Sequence, residues 1–178
     1  MKDFSKTIET ERLILRKFKL SDANDMFKNY ASQSKVTKYL SWETHSNIDV
    51  TKNYLESVVL PDYEKKTYRW AIEFKETSEV IGCIDVVHIY ENRMCGELGY
   101  VLGEKFWNKG IMTEAGKAVV KYLFEEGFRR IEAMHNVDNP ASGRVMQKIG
   151  MQFEGVMRKS RMSNKGALVD CALYAIVK

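Results

Sequence analysis

Between Tyr68 and Leu102 lie three runs rich in hydrophobic side chains, separated by short polar turns. In the first run Tyr68, Trp70, Ile72 and Phe74 share one face, with Arg69, Glu73 and Lys75 on the other; a period of two belongs to a strand. The polar segment Glu76–Glu79 leads to a second run, Val80–Ile89, and the Glu91–Arg93 turn to a third, Cys95–Leu102. Turns this short join antiparallel neighbours, so the three runs predict a meander. After Gly110 the period becomes helical, with Ala115, Ala118, Val119, Tyr122 and Leu123 on one stripe that closes near Gly127. Arg129–Asn136 reads as a strand, and Asn139-Pro140 opens a further helix, Asn139 as side-chain N-cap and Pro140 at the first helical position. Gly150 closes that helix, and two last strands, Met151–Lys159 and Ala167–Val177, flank a polar turn at Ser163–Gly166.

Ahead of the meander, Arg12–Phe18 reads as a strand and Ser21 as the cap of a helix carrying Ala23, Met26, Phe27 and Tyr30 inward. A second helical pattern uses Ile48, Tyr54, Leu55, Val58 and Val59, and Pro61 is expected to stop it. The whole predicts an α+β fold of three αβα layers: a mixed, mostly antiparallel central sheet with helices on both faces. With no internal repeat, low-complexity tract or linker, residues 1–178 read as one domain.

At 178 residues, 44% of them hydrophobic, the chain is long enough to bury roughly 70% of its unfolded surface. It needs no disulfide or metal staple. Cys83, Cys95 and Cys171 form no C-x-x-C pair and leave one unpaired, which fits buried thiols in a reducing compartment. No apolar stretch approaches the roughly 20 residues that span a bilayer, and MKDFSKTIETER lacks the apolar run of a signal peptide. The expectation is a soluble, cytoplasmic protein with no membrane partner. The net charge of +4 is uneven: residues 1–102 hold 15 basic and 16 acidic side chains, residues 103–178 hold 13 and 8. The second part therefore suits an anionic ligand, with scattered solvated lysines as the alternative. Basic residues lie dispersed rather than interleaved with aromatics on one face, so no nucleic-acid partner is expected.

G-x-x-x-x-G-K-[ST], G-x-S-x-G and H-E-x-x-H are absent, as is a G-x-G-x-x-G after a strand. His45, His88 and His135 lie far apart without a second ligand type at metal spacing, and a metal site is not expected. The informative segment is Glu97–Ala115, ELGYVLGEKFWNKGIMTEA. A strand enters a short polar loop, and Gly110 directly precedes a helix whose first backbone N–H groups would face outward, the geometry that binds phosphate. Lys109 adds positive charge, and Gly110 lets a ligand approach the backbone closely. An ordinary strand-to-helix turn has the same local pattern.

The tract resembles the acyl-CoA motif of the Gcn5-related N-acetyltransferases, the GNAT superfamily. That family's [RQ]-x-x-G-x-[GA] falls on Trp107-Asn108-Lys109-Gly110-Ile111-Met112, with Trp107 and Met112 as departures. Both departures resemble the Rim-type subgroup that acetylates ribosomal-protein N-termini, where W-x-x-G-[IY]-[MA]-T-E-A is usual. TERLILRKFKLSDA (Thr10–Ala23) and HNVDNPASGRVMQKIGMQFEG (His135–Gly155) are similar to the same subgroup. The resemblance implies acetyl-CoA as co-substrate and no metal. It implies that the backbone of Tyr100, Val101 and Leu102 bonds the pantetheine arm like an added strand. By the same resemblance Trp107, Asn108, Lys109, Gly110, Ile111, Met112 and Thr113 take the pyrophosphate, and Asn139 bonds the pantetheine amides. For Asn139, helix capping explains the position equally.

Amine acetylation needs a base for the amine proton and a donor for the leaving thiolate. The tyrosine that many GNAT members place seven residues after the helix-opening Asn is Met146 here, which donates no proton. The resemblance to Rim-type relatives gives the thiol role to Ser142, whose position local backbone bonding also explains. Glu97 resembles the strand glutamate assigned as base in part of the superfamily; a Glu97 paired with a nearby Arg or Lys is the alternative, and Asp85 the reserve. Tyr39, Trp42 and a turn at Arg158–Arg161 are candidates for the acceptor groove. No Cys or Ser sits in an activated-nucleophile setting, so transfer is expected to be direct. The acceptor is expected to be a protein N-terminal α-amine. The alternatives are a small-molecule amine (polyamine, amino acid or antibiotic) and a non-catalytic acyl-CoA-binding protein; self-association stays open.

Overall fold

Alternation in the sequence becomes strand wherever each face has something to bury against. The computed structural model describes residues 3–178; Met1 and Lys2, the first two residues of the expected domain, lie outside them. Eight strands form among the described residues: β1 (Ile8–Glu9), β2 (Leu13–Arg16), β3 (Arg69–Phe74), β4 (Glu79–Tyr90), β5 (Cys95–Leu102), β6 (Arg130–Asn136), β7 (Gln152–Met162) and β8 (Leu168–Val177). Their hydrogen-bonded order is β1-β2-β3-β4-β5-β6-β8-β7, a mixed and mostly antiparallel sheet in which β5 and β6 run parallel. After the short helices α1 (Ala23–Met26) and α2 (Ser34–Thr37) and the later pair α3 (Ile48–Tyr54) and α4 (Leu60–Asp62), the meander strands and the two helices α5 (Ile111–Glu125) and α6 (Pro140–Ile149) fall where the periodicity places them. Contacts group the chain into two compact units. One takes the chain up to Lys38 with Glu43–Asp85 and Tyr100–Ile111; the other takes Tyr39–Trp42, Val86–Gly99 and Met112–Lys178.

In the first unit β2 pairs with β3 from Leu13–Phe74 to Arg16–Ala71, and β3 with β4 through Trp70–Ile84 and Ala71–Cys83. Leu13, Leu15, Trp70, Ile72 and Ile84 are fully buried on these strands. Arg16, at the end of β2, joins this sheet to the helical segment that follows. Its guanidinium donates to Asp22 at 2.8 and 2.9 Å and to Glu73 at 2.6 Å. A half-buried arginine held by two carboxylates stays charged, its pKa raised chiefly by the Asp22 hydrogen bond.

In the second unit the β5–β6 register runs from Cys95–Arg130 to Leu98–Ala133, and β6 pairs with β8 along its whole length, Arg130–Val177 to Asn136–Cys171. Met146 and Ile149 bury the inner face of α6, which ends at Gly150 with φ of 109°.

Local capping departs from expectation at several positions. Ser21 does not cap: the first turn starts at Leu20, and the Asp22 carboxylate takes the Lys19 N–H at 2.7 Å. The Asn139 side chain makes no capping bond, because the chain enters α6 through a tight turn that leaves Asn139 at ψ of 66° rather than extended. That turn is held by the Asn139 N–H on the Asn136 carbonyl and by the Asp138 N–H on Asn136 Oδ1. Pro61 does not stop the second helix, which begins as α3 (Ile48–Tyr54) and passes through the ring into the short α4 (Leu60–Asp62). The intervening Leu55–Val59 turn is a π-helix, and its wider spacing accommodates the ring that an α-turn would reject. The same insertion rotates Val58 outward, 43% exposed, while Leu55 and Val59 stay buried. Cys95 and Cys171 are buried as expected, Cys83 only partly, and all three are free thiols. The Arg158–Arg161 stretch is not a turn but a bulge inside β7, with Lys159 at φ of 48°.

Gly82 on β4 sits where strand backbones approach most closely: a Cβ there would stand 2.3 Å from the Val101 carbonyl oxygen and 3.1 Å from Leu102 Cα. Backbone cannot yield as a flexible side chain does. Gly82→Ala is therefore expected to destabilise the protein by about 1–3 kcal/mol, read as a lower urea midpoint; an unchanged midpoint would show that β5 moves aside freely.

Candidate active site

Strand β5 carries the first half of the site. Its ladder with β6 ends at Leu98–Ala133, yet β5 continues to Leu102, so Tyr100, Val101 and Leu102 lie beyond that register. Backbone groups released from a ladder need another partner. One is already supplied: the Trp107 indole N–H donates to the Leu102 carbonyl at 2.7 Å. Trp107 thus folds the loop back on the strand end, and the Lys35 ammonium lies over its ring at 5.7 Å.

The loop then turns through Asn108 and Gly110, both at positive φ (59° and 73°), and enters α5 at Ile111. Asn108, Lys109 and Gly110 are exposed, whereas Ile111 and Met112 are buried as the helix begins and Thr113 is half-buried. The first-turn N–H groups of a 15-residue helix have no intrahelical acceptor, and here they follow an open, basic loop. Among the described residues a Cβ at Gly110 would meet only Arg12 Nη2, at 3.6 Å, so it is the left-handed backbone rather than crowding that calls for glycine. Sequence reasoning missed Arg12, whose Nη1 donates to the Lys109 carbonyl at 2.9 Å across 97 residues. That bond fixes the loop and adds a second cation beside it.

Asp85 lies in the same unit as that loop, on β4. Arg69 Nε donates to it at 3.3 Å and Arg69 Nη1 to Asp62 at 3.2 Å. Burial pushes the Asp85 carboxyl up from its ordinary value, Arg69 opposing, and burial likewise pushes the neighbouring Cys83 thiol up.

Glu97, in the second unit, is 6% exposed on its side chain and takes an N–H of Arg161 at 2.5 Å. The expected alternative, a paired Glu97, is what the structure contains. Tyr90 Oη donates to the other carboxylate oxygen at 3.4 Å, and burial, followed by the charges of Glu97 and Glu132, raises the Tyr90 pKa. Glu132, opposite Glu97 in the parallel register, is taken by Arg130 at 3.0 Å, and Arg130 also holds Glu154. Burial pushes the Cys95 thiol up to about 11, so it is no ready nucleophile. Asn164 Nδ2 donates to the Trp42 carbonyl at 3.2 Å, tying the β7–β8 turn to the Tyr39–Trp42 segment. On α6, Asn139 and Ser142 are half-buried, and the Ser142 N–H donates to the Asn139 carbonyl at 3.2 Å. The histidines have structural partners or lie exposed: His45 Nδ1 meets Thr51 Oγ1 and His135 Nδ1 meets the Asn136 carbonyl, each at 2.8 Å. Among the described residues no group of three or more His, Cys, Asp or Glu could hold a metal ion, and no helix is long and apolar enough to cross a membrane.

A strand that leaves the ladder of its parallel neighbour and runs on into a glycine loop and a helix N-terminus, on a sheet of this order, defines the class of the acyl-transferring α+β enzymes. The Acetyltransferase (GNAT) domain family matches residues 12–152, and the chain belongs to it, as an N-acetyltransferase. Over 172 residues the chain is 35% identical to the uncharacterized N-acetyltransferase YoaA of Bacillus subtilis (strain 168), covering 96% of each. It is 30% identical over 139 residues to the ribosomal-protein-serine acetyltransferase of Escherichia coli (strain K12), covering 76% of this chain and 75% of that one. A crystal structure of a GNAT-family acetyltransferase from Bacillus anthracis superposes with a TM-score of 0.82 at 32% identity, covering 97% of this chain and 98% of that one.

Asp85 gives the site a measurable pH signature. A carboxyl that holds its proton more tightly folded than unfolded contributes stability below the unfolded pKa and loses it as pH rises through the folded one. Asp85→Asn removes that equilibrium and adds a pH-independent loss at Arg69. The stability of the variant relative to wild type should therefore rise as the pH increases above the ordinary carboxylate range, measured by urea unfolding at several pH values. A difference that is flat or falls with pH would show that burial does not govern Asp85.

Proposed function

We propose that this N-acetyltransferase moves the acetyl group of acetyl-CoA directly onto the N-terminal α-amine of a protein, with a ribosomal protein as the leading acceptor. The observation that carries the reading is the end of β5. Backbone beyond the β6 register, followed at once by an exposed basic loop and the N-terminus of α5, suits a ligand with an amide-bearing arm and an anionic pyrophosphate. In this reading the arm lies along the strand end from Tyr100 to Leu102, where the Val101 carbonyl is turned toward Gly82 on β4 and the Leu102 carbonyl is already engaged by Trp107. The loop from Trp107 to Gly110 and the first turn, Ile111 to Thr113, receive the pyrophosphate, and the uncapped Asn139 side chain is available to the arm's amides.

In the transfer, the acceptor nitrogen forms a bond to the acetyl carbon as the C–S bond breaks. Glu97 takes the proton the amine loses, and Ser142 supplies one to the departing thiolate. Met146 is 1% exposed and serves the core, so the thiol's proton has no tyrosine source at that position. The high pKa of the Cys83 and Cys95 thiols supports direct transfer over a thioester on the enzyme. Similarity to the E. coli ribosomal-protein-serine acetyltransferase favours a protein acceptor over a small amine.

Acetylation of ribosomal-protein N-terminal peptides, polyamines, amino acids and aminoglycosides by the same preparation tests the acceptor; activity confined to the small amines would replace the protein reading. Glu97→Gln is expected to lower kcat by about 100-fold or more with little change in acetyl-CoA affinity. Near-wild-type kcat at every pH would remove Glu97 from the mechanism. Gly110→Val should weaken acetyl-CoA binding at least about tenfold by straining the left-handed backbone, and an unchanged Kd in calorimetry would place the pyrophosphate elsewhere.

A further inference from the structure

We propose that Arg161 is a specificity-determining residue that reads a carboxylate on the acceptor, so that the preferred acceptor is an amine with an acidic group close by. The inference rests on Glu97 acting as the base in the reading above. The β7–β8 hairpin is built to deliver this one guanidinium. Neighbouring strands lie about 4.8 Å apart, so β7, three places from β5, would stand roughly 14 Å away in a flat sheet, beyond an arginine's reach. Instead the β7 register breaks between Met157 and Arg161, Lys159 turns left-handed, and the Lys159 N–H is pinned to Asp170 Oδ1 at 2.8 Å. Arg161 re-enters the ladder opposite Val169 with its guanidinium on Glu97.

The pair is asymmetric. Glu97 is 6% exposed and Arg161 38%, so solvent reaches the cation and not the anion. A guanidinium carries five N–H donors in a planar fork, and the exposed edge of Arg161 can take a second carboxylate in that geometry. The surroundings favour one. From Val156 to Val169 the hairpin carries Arg158, Lys159, Arg161 and Lys165 and no acidic residue; Arg158, Lys159 and Lys165 are exposed. Asp170, the carboxylate next along β8, is engaged by the Lys159 N–H, so the tip of the hairpin carries a basic excess that favours acidic ligands over polyamines.

Arg161 also stands where the acceptor amine must arrive, because both cations seek the Glu97 carboxylate. An acceptor that brings its own carboxylate draws the guanidinium outward and leaves Glu97 to the amine; a neutral acceptor has to displace Arg161 unaided. The ion pair thus delays proton removal until a suitable acceptor is seated.

The test uses acceptors that differ only by a carboxylate: N-terminal peptides with Asp or Asn at the second and third positions, and free amino acids beside their amides. Wild-type kcat/KM is expected to favour the acidic member by about tenfold or more. Arg161→Gln should collapse that ratio toward one, chiefly through KM of the acidic acceptor, and Arg161→Lys should restore part of it. Because Arg161→Gln leaves Glu97 buried without its partner, the wild-type ratio stands as a measurement that needs no variant. Equal use of both members in every pair would overturn the proposal while leaving the acetyltransfer reading intact. A carboxylate preference among amino acids with inert peptides would support Arg161 and overturn the protein acceptor. A ratio that survives Arg161→Gln would assign the reading to another cation.

Discussion

Parallel neighbours cannot be joined by a hairpin, and most of this architecture follows from that restriction on β5 and β6. Their connection has to run back along the sheet, and the chain makes it with α5, whose 15 residues begin immediately after the Trp107–Gly110 loop. The helix N-terminus, whose first N–H groups have no intrahelical acceptor, is therefore forced to the end of β5 at which the β6 ladder has already stopped. The chemistry that suits a phosphate and the backbone that suits an extended amide arm arrive in consecutive residues for a topological reason. Antiparallel pairing of β5 and β6 would give neither.

Holding that junction still takes contacts from far along the chain. Trp107 pins the loop to Leu102, and Arg12 pins Lys109. Gly82 lets β4 approach the backbone at Val101 and Leu102. Each acts on main-chain atoms, so the geometry presented to a ligand is set by backbone position and tolerates side-chain variation within the loop. The departures Trp107 and Met112 from the general family pattern fit this view. The indole replaces a polar side chain by fastening the strand end, and Met112 is buried in the first turn of α5.

The elements whose stability is local were legible. Strand β5 and the stretch from α5 through β6 to Gly150 follow from periodicity and terminal glycines, and the resemblance carried by Glu97–Ala115 and Asn139–Gly150 pointed to the right family. What was not legible depends on partners distant in sequence. The Asp22 carboxylate displaces Ser21 because Arg16 and Glu73 converge on the same corner. Asn139 fails to cap because Asn136 has already set the turn. Pro61 is tolerated because a π-turn precedes it, and no residue pattern announces a π-turn. Arg12 read only as the start of a strand and Arg161 only as part of a turn that could border the acceptor groove, and only the folded chain brings them across 97 and 64 residues to Lys109 and Glu97.

Glu97 and Glu132 occupy opposite positions in the β5–β6 register, two carboxylates side by side on adjacent parallel strands. Left unpaired, two buried like charges at that spacing would oppose folding. The chain resolves the conflict unequally. Glu132 is held by Arg130, two residues along the same strand and itself anchored on Glu154. Glu97 has no cation on its own strand and depends on Arg161, presented from a bulge near the tip of a hairpin. A partner supplied by a neighbouring residue is fixed once the strand forms, whereas one supplied from a hairpin tip can be drawn away without unfolding the strand it serves. Of the two carboxylates, Glu97 is thus the one whose neutralising partner comes from outside its own pair of strands, and the one whose charge balance depends on how the hairpin is held.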